Sequence, residues 1–222
     1  MLYVVATPIG NLGDITLRAI ETLKACDFIV AENPGYSNRL LQHLDIRNKE
    51  IFQFAEHNEQ QVVKELARRL SKQNGAFITD AGTPGISDPG FRLVRECVNQ
   101  NVQVIPIPGA NAAIAALSAS GLPTDRFMFL GFLQKTAAKT VSALQAAEAA
   151  EATAIFYESP ERILKTLSYI ANAFPTANVV VARELTKLHE EFIRGNPLDV
   201  IHQLQEKPSI KGEITVIISF KS

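Results

Sequence analysis

Three stretches rich in glycine, proline and small polar residues carry most of the chemical promise of this 222-residue chain. They are Thr7-Pro-Ile-Gly-Asn11, Thr79-Asp-Ala-Gly-Thr-Pro-Gly-Ile-Ser-Asp-Pro-Gly90 and Pro106-Ile-Pro-Gly-Ala-Asn-Ala-Ala113. Each follows a short β-branched run, and glycine at such a place lets backbone approach a ligand closely. Helix starts expected at Asp14, Asp88 and Ala110 leave free amides that suit a carboxylate or another anion. The twelve-residue loop holds three Gly and two Pro, where strand-to-helix connections usually run ~2–6 residues, which points to binding rather than to a plain turn. In an open parallel sheet the loops after the strands' carboxyl ends line one crevice, so three of them converge on one ligand.

The signatures of several other chemistries are absent. The chain contains no GxGxxG, GxxxxGK[ST], HExxH or GxSxG run, which disfavours a nucleotide triphosphatase and a triad hydrolase. His43, His57, His189 and His202 stand at no metal-ligand spacing, so no metal is expected. Cys26 and Cys97 lie far apart without a CxxC and read as buried, reduced thiols.

The elements that must position these loops follow from periodicity. Up to about Ser120, short apolar runs (Leu2 to Ala6, Phe28 to Ala31, Ala76 to Thr79, Val102 to Ile107) alternate with helical stretches, the pattern of a mostly parallel sheet covered on both faces. Helices are expected from Asp14, over Asn38 to Leu44, from a capping box at Asn58 and Gln61, from Asp88-Pro89 to about Asn101, and over Ala110 to Ser120. Around Gly121 a turn cluster precedes the most apolar run, Arg126 to Phe132, and a domain boundary is placed there, giving domains 1–120 and 121–222. The second part reads as helices at Ala138 to Ala150, Pro160 to Phe174 and from Asn196-Pro197. Its strands are Ala154 to Tyr157, Asn178 to Ala182, Glu191 to Arg194 and Glu213 to Ser219, hairpin-like enough for a mixed sheet. The fold class is thus α/β, with two α/β domains, a mostly parallel first sheet and a mixed second one.

Composition sets the remaining bounds. Lys+Arg 22 against Asp+Glu 23 leaves a net charge of −1, so any nucleic-acid contact must use a local patch rather than a global field. The N-terminus has no basic region before its apolar run and reads as a first strand, not a signal peptide. No apolar run reaches membrane-spanning length, and a cytoplasmic protein is expected.

Val5-Ala-Thr-Pro-Ile-Gly-Asn-Leu-Gly-Asp14, Asp80-Ala-Gly-Thr-Pro-Gly-Ile-Ser-Asp-Pro-Gly90, Pro106-Ile-Pro-Gly109, Ser118-Ala-Ser-Gly-Leu-Pro-Thr-Asp-Arg-Phe127, Phe156-Tyr-Glu-Ser-Pro160, Ala182-Arg-Glu-Leu-Thr-Lys187 and Lys211-Gly-Glu213 run in order along the chain. The series closely resembles the S-adenosylmethionine-dependent ribosomal RNA small subunit methyltransferase I family of the tetrapyrrole methylase superfamily. The resemblance implies a cofactor cleft between the two domains, a homodimer, and 2′-O-methylation of a cytidine ribose in 16S rRNA of the small ribosomal subunit. It implies cofactor contacts from Ile9 and Gly10, from Thr83, Gly85 and Ile86, from Ala112 and Ala113, and from Tyr157, Ala182 and Gly212. One stretch departs from it. Where the family usually reads Ala-Glu-Asp-Thr-Arg, this chain has Ala31-Glu-Asn-Pro-Gly35, which removes a charge pair. Longer family members also carry a helical C-terminal extension, whose grip on RNA is not expected from this chain.

Methyl transfer from a sulfonium is an in-line displacement, so catalysis rests chiefly on geometry. A ribose hydroxyl is a poor nucleophile while protonated, and a proton acceptor beside it helps. Candidates within the matching motifs are Asp80, Glu184, Lys187 and Glu213, with Asn11 as an orienting group. Phosphate contacts are expected from Arg126, Arg162 and the stretch Arg183 to His189. A methyltransferase acting on a small, tetrapyrrole-like acceptor and a non-catalytic cofactor-binding module stand as alternatives.

Overall fold

A computed structural model describes residues 1–221, in two compact units, Met1–Asn111 and the chain from Ala112 onward. The first unit runs β1 (Leu2–Val5), α1 (Leu17–Ala25), β2 (Phe28–Ala31), α2 (Pro34–His43), β3 (Glu50–Gln53), α3 (Glu59–Leu70), β4 (Gly75–Ile78), α4 (Phe91–Asn99) and β5 (Val104–Ile107). Its strands lie in the order β3-β2-β4-β1-β5, every neighbouring pair parallel. Side chains alternate across a strand, so β2 sends Phe28 and Val30 to one face and Ile29 and Ala31 to the other. The first pair packs with Leu66 and Leu70 of α3 and Leu93 and Cys97 of α4, the second with Leu23 of α1 and Leu41 of α2. Two apolar layers therefore hold the sheet between α1 and α2 on one face and α3 and α4 on the other.

The second unit runs α5 (Ala112–Ser120), β6 (Phe127–Phe132), α6 (Ala137–Ala149), β7 (Thr153–Glu158), α7 (Ile163–Ala173), β8 (Asn178–Arg183), β9 (Glu191–Gly195), α8 (Pro197–Gln205) and β10 (Ile214–Ser219). Its sheet has the order β6-β7-β10-β8-β9 and is mixed as expected: β6 pairs with β7 in parallel, and the other neighbours are antiparallel. The units divide nine residues before the expected boundary, because α5 packs against β7, β8 and β10.

Helix starts are where the sequence reading errs. Asp14 lies in a 3-10 turn over Leu12–Asp14, and α1 begins at Leu17, where Thr16 Oγ1 accepts from the Ala19 amide at 3.1 Å. Asp88 caps nothing: α4 begins at Phe91 behind Gly90, whose φ of 141° no helix residue can adopt. α5 likewise starts at Ala112 rather than Ala110. Asn58 makes no capping bond to α3; its Oδ1 accepts from the Ala55 amide at 2.9 Å. α2 starts four residues earlier than expected, because Asn33 Oδ1 accepts from the Gly35 and Tyr36 amides at 3.1 and 3.3 Å, with Pro34 at the first helical position. The edge strand β3 was not anticipated. Asn196-Pro197, by contrast, starts α8 as expected, with Asn196 Oδ1 accepting from two amides at 3.0 Å. Among the described residues no helix is long and apolar enough to cross a membrane.

Gly90 ends the long loop against the core, and a Cβ there would stand 2.6 Å from Cε1 of the fully buried Phe77 ring. Gly90→Ala is expected to destabilise the protein by about 2–4 kcal/mol, combining overpacking with backbone strain. Urea unfolding of the two proteins at neutral pH measures it.

Candidate active site

At the carboxyl ends of β1 and β4 the chain leaves the sheet in opposite directions, toward α1 on one face and α4 on the other. This is the switch point at which open α/β sheets bind ligands. The two loops are joined there by a two-bond antiparallel bridge, Thr7 N to Gly82 O at 2.9 Å and Gly82 N to Thr7 O at 3.1 Å. Thr7, buried, also donates its hydroxyl to the Thr79 carbonyl at 3.2 Å. The loop after β5 joins them, because Thr83 Oγ1 donates to the Ala110 carbonyl at 3.1 Å. The three loops that the sequence singles out therefore meet within the first unit.

Space at this meeting is set by small residues. Gly82, at φ 80°, holds its position where a Cβ would lie 3.4 Å from Ile9 Cγ2, and a Cβ on Gly109 would lie 2.9 Å from that of Ala6. Ile9 is buried, Gly10 exposed, and Ile86 is a half-exposed apolar side chain. Asn11 is engaged locally, its Oδ1 accepting from the Gly13 amide at 3.0 Å. Ala112 and Ala113 open α5 and so belong to the second unit.

Three carboxyl groups gather at the ends of β2 and β4. Asp80 donates its amide to Glu32 Oε2 at 3.4 Å. Burial raises the Glu32 and Asp80 carboxyls above the ordinary range, and the Asp80 charge adds to the effect on Glu32. Asp88 is pushed up to about 6 by burial first and then by the charges of Glu32 and Asp80, with the Thr79 hydroxyl acting the other way. Asp80 was a candidate from sequence, but Glu32 and Asp88 were not. Their signal lay in the topology: Glu32 is the first residue beyond β2 and Asp80 the second beyond β4, and these are neighbouring parallel strands.

In the second unit Glu184, Lys187 and Glu213 do come together, as a closed ionic group. Lys187 Nζ donates to Glu184 Oε1 at 2.8 Å and to Glu213 Oε2 at 3.0 Å, and the Glu213 amide donates to Glu184 Oε1 at 3.0 Å. The lysine hydrogen bond, ahead of all else, lowers the Glu184 carboxyl below its usual range. Gly212, at φ 88°, must be glycine for a local reason: a Cβ would lie 2.3 Å from the Glu184 carboxyl. Tyr157 is the next-to-last residue of β7, its ring edge-on to Phe129 and Phe132, centroids 5.0 and 5.6 Å away, and Ala182 is buried in the sheet beside Thr215.

The arginines expected to meet phosphate have partners inside the fold. Arg126 donates to the Ala150 carbonyl, and Arg162 to the Leu133 carbonyl while pairing with the buried Glu158. Arg183 pairs with Glu191 at 3.1 Å and donates to the Lys211 carbonyl. Both thiols are buried and raised by that burial, Cys97 to about 11, which makes them poor nucleophiles. Among the described residues no three His, Cys, Asp or Glu side chains are placed to hold one metal ion.

Because the Glu184 and Glu191 carboxyls are lowered by folding, the stability they supply is complete above the ordinary carboxylate range and is lost as pH falls through their folded values. Glu184→Gln should therefore cost about 0.2–1 kcal/mol at pH 7 and less at pH 4, within the range where the carboxyl takes up its proton. Denaturant midpoints at the two pH values measure the difference.

The profile of the Tetrapyrrole (Corrin/Porphyrin) Methylases matches residues 1–199. A ribosomal RNA small subunit methyltransferase I of Halalkalibacterium halodurans is 46% identical over 218 residues, 98% of this chain and 75% of that protein. The protein of the same name from Hydrogenobaculum sp. is 44% identical over 98% of this chain and 95% of its own, and the one from Escherichia coli O157:H7 is 47% identical over 98% and 77%. Among solved structures, a diphthine synthase superposes with a TM-score of 0.75 at 14% identity, covering 98% of this chain and 89% of that one. A cobalamin biosynthetic enzyme, cobalt precorrin-4 methyltransferase, does so with 0.67 at 16% identity, covering 100% and 96%. At those identities the structures speak for the fold, and their fold is the one described above. The loops that meet at the switch point, the two sheets and the near-complete sequence matches agree: the chain belongs to the ribosomal RNA small subunit methyltransferase I family of the tetrapyrrole methylases, and it is a methyltransferase.

Proposed function

We propose that this protein transfers the methyl group of S-adenosylmethionine to the ribose 2′-hydroxyl of a cytidine in 16S rRNA, acting as a homodimer in the cytoplasm. The observation that carries the cofactor assignment is the meeting of the loops after β1, β4 and β5, with close backbone approach at Gly82 and Gly109. Ile9, Gly10, Thr83, Gly85 and Ile86 hold the cofactor, and Ala112, Ala113, Tyr157, Ala182 and Gly212 are the further cofactor contacts that the family resemblance implies. Gly85, at φ 82°, turns its own amide to the Pro89 carbonyl at 3.1 Å and keeps the loop folded back on itself. Such a cradle of small residues and backbone groups suits a polar, zwitterionic amino-acid end. The bound cofactor supplies an activated methyl on a sulfonium.

The chain's own part is to hold the acceptor oxygen in line, to keep water out, and to accept one proton. Asp80, at the switch point, has a buried carboxylate oxygen that can accept a hydrogen bond from the acceptor hydroxyl. Glu184, Lys187 and Glu213 are bonded to one another, which suits them to hold the end of β8 to the start of β10 and so to fix Ala182 and Gly212. The acceptor assignment is supported by the printed name shared by relatives that match almost the whole chain.

Calorimetric titration should show S-adenosylmethionine binding, and label from its methyl group should enter 16S rRNA in small ribosomal subunits that lack their native ribose methylations. Mapping by nuclease digestion should place the label on a cytidine 2′-oxygen. Binding with no transfer to rRNA would refute the acceptor, and no binding would refute the cofactor.

A further inference from the structure

Asp88 reads in the sequence as a helix cap, and the structure gives it no such bond: α4 begins three residues later behind Gly90. Its carboxyl sits instead among Glu32, Thr79 and Asp80, gathered from the ends of β2 and β4. The groups that act on these carboxyls are one another, the Thr79 hydroxyl and the Asp80 and Asn33 amides, with no cation among them. Nor are the three placed to share a metal ion.

An independent observation lies at the same spot. Thr79 is 2% exposed, and its Oγ1 has no formed hydrogen bond; it lies near enough to Asp88 to favour the charged carboxylate, but not in bonding geometry. The neighbouring Asp80 Oδ1 is likewise buried and unpartnered. Buried polar atoms are rarely left so in a native protein unless something else completes them. Here the two are consecutive in sequence, one a hydroxyl able to donate and one a carboxylate oxygen that accepts. A single hydroxyl group entering from a ligand satisfies both, since it accepts through its oxygen and donates through its hydrogen.

We infer that Thr79, Asp80 and Asp88 form the seat of the acceptor hydroxyl, with Thr79 donating to its oxygen, Asp80 Oδ1 and Asp88 sharing its hydrogen, Asp88 keeping the proton, and Glu32 a positioning residue that acts through Asp80 and Asp88. This rests on the ribose methyltransferase reading. A lone pair of the acceptor oxygen forms the new O–CH3 bond while the methyl–sulfur bond breaks, and sulfur keeps that pair as a neutral thioether. The O–H proton passes to the Asp88 carboxylate and from there to water. The like charges of Glu32 and Asp80 keep that carboxylate a better proton acceptor than an isolated aspartate.

Single-turnover methylation of small ribosomal subunits at saturating cofactor, measured from pH 5 to 8, tests this. The wild-type rate should rise through about pH 6 and level off. Asp88→Asn should lower the plateau by about 100-fold or more, the range of general-base catalysis, with S-adenosylmethionine affinity within about threefold. Glu32→Gln should move the limb to lower pH, because one repelling charge is gone, and lower the plateau by less than Asp88→Asn does, because a weaker base accepts the proton less readily; the shift of the limb is one that loss of packing does not produce. A second readout needs no cofactor. Folding raises the Asp88 pKa, so the wild-type unfolding midpoint should fall as pH rises through about 6, and Asp88→Asn should flatten that slope. Where Asp88→Asn does not fold, Thr79→Val, which keeps the shape and removes the donor, stands in for it with a lowered plateau. A wild-type rate and limb in Asp88→Asn, or a loss of cofactor binding as large as the loss of rate, would overturn the inference. No transfer by a wild-type protein that binds cofactor and keeps its pH-dependent midpoint would overturn the acceptor reading, and this inference with it.

Discussion

Two backbone hydrogen bonds between Thr7 and Gly82 carry a structural load out of proportion to their number. β1 and β4 lie side by side and run parallel, but the chain beyond them parts toward opposite faces of the sheet, and a parallel pair has no hairpin to hold its ends together. Without a tie, the loops at that point would drift apart. The antiparallel bridge supplies it just past the last ladder bonds, and the buried Thr7 hydroxyl bonds the Thr79 carbonyl behind it. Once β1 and β4 are fixed in this way, Thr83 can reach Ala110 and bring in the loop after β5. The register of three strands is thereby converted into the position of three loops.

The second unit fixes its strand ends by different means. Glu158 is fully buried as a side chain, and Thr166 Oγ1 donates to it at 2.6 Å, the Ser159 amide at 2.8 Å and Arg162 at 3.3 Å. A buried carboxylate is tolerable only with such partners, and it gains little net stability even then. Its effect is geometric, because Arg162 also bonds the Leu133 carbonyl and so binds the end of β7 to the chain leaving β6, where Phe129 and Phe132 flank Tyr157. The Arg194 guanidinium does the same for α5, donating to the Ala119 and Ser120 carbonyls at the negative end of that helix. In this unit charged residues of the recognisable motifs act as internal ties, which is why Arg162 and Arg183 are not available in the way their sequence context suggests.

Short apolar runs made most strands legible, since a strand buried on both faces has to read as a continuous apolar run, as Phe28 to Ala31 does. The edge strand β3 was not, because Glu50 and Gln53 face solvent and only Ile51 and Phe52 between them are partly buried. Helix starts were read from local rules that tertiary structure overrode: the rule held at Asn196-Pro197, where nothing competes, and failed at Asp88-Pro89, where Gly90 turns the chain. The loops of the site were legible from composition. The carboxyl cluster was not, because Glu32, Asp80 and Asp88 are scattered over 57 positions and only the order β2-β4 makes neighbours of them.

That cluster also gives physical sense to the departure at residues 33 to 35. Each of its carboxyls is harder to ionise in the fold than in an open chain, so together they weaken the protein as pH rises. The Asn33 amide bonds the Asp80 carboxyl, so an aspartate at position 33 would bring a fourth negative charge near them. Asparagine keeps what the backbone there needs, a side-chain oxygen that accepts from the first amides of α2, and it carries no charge. An uncharged cap lessens the repulsion on Asp80 and Glu32 while leaving the cluster itself intact. The Asn33-Pro34-Gly35 turn is therefore compatible with a cluster of carboxyls at the ends of β2 and β4.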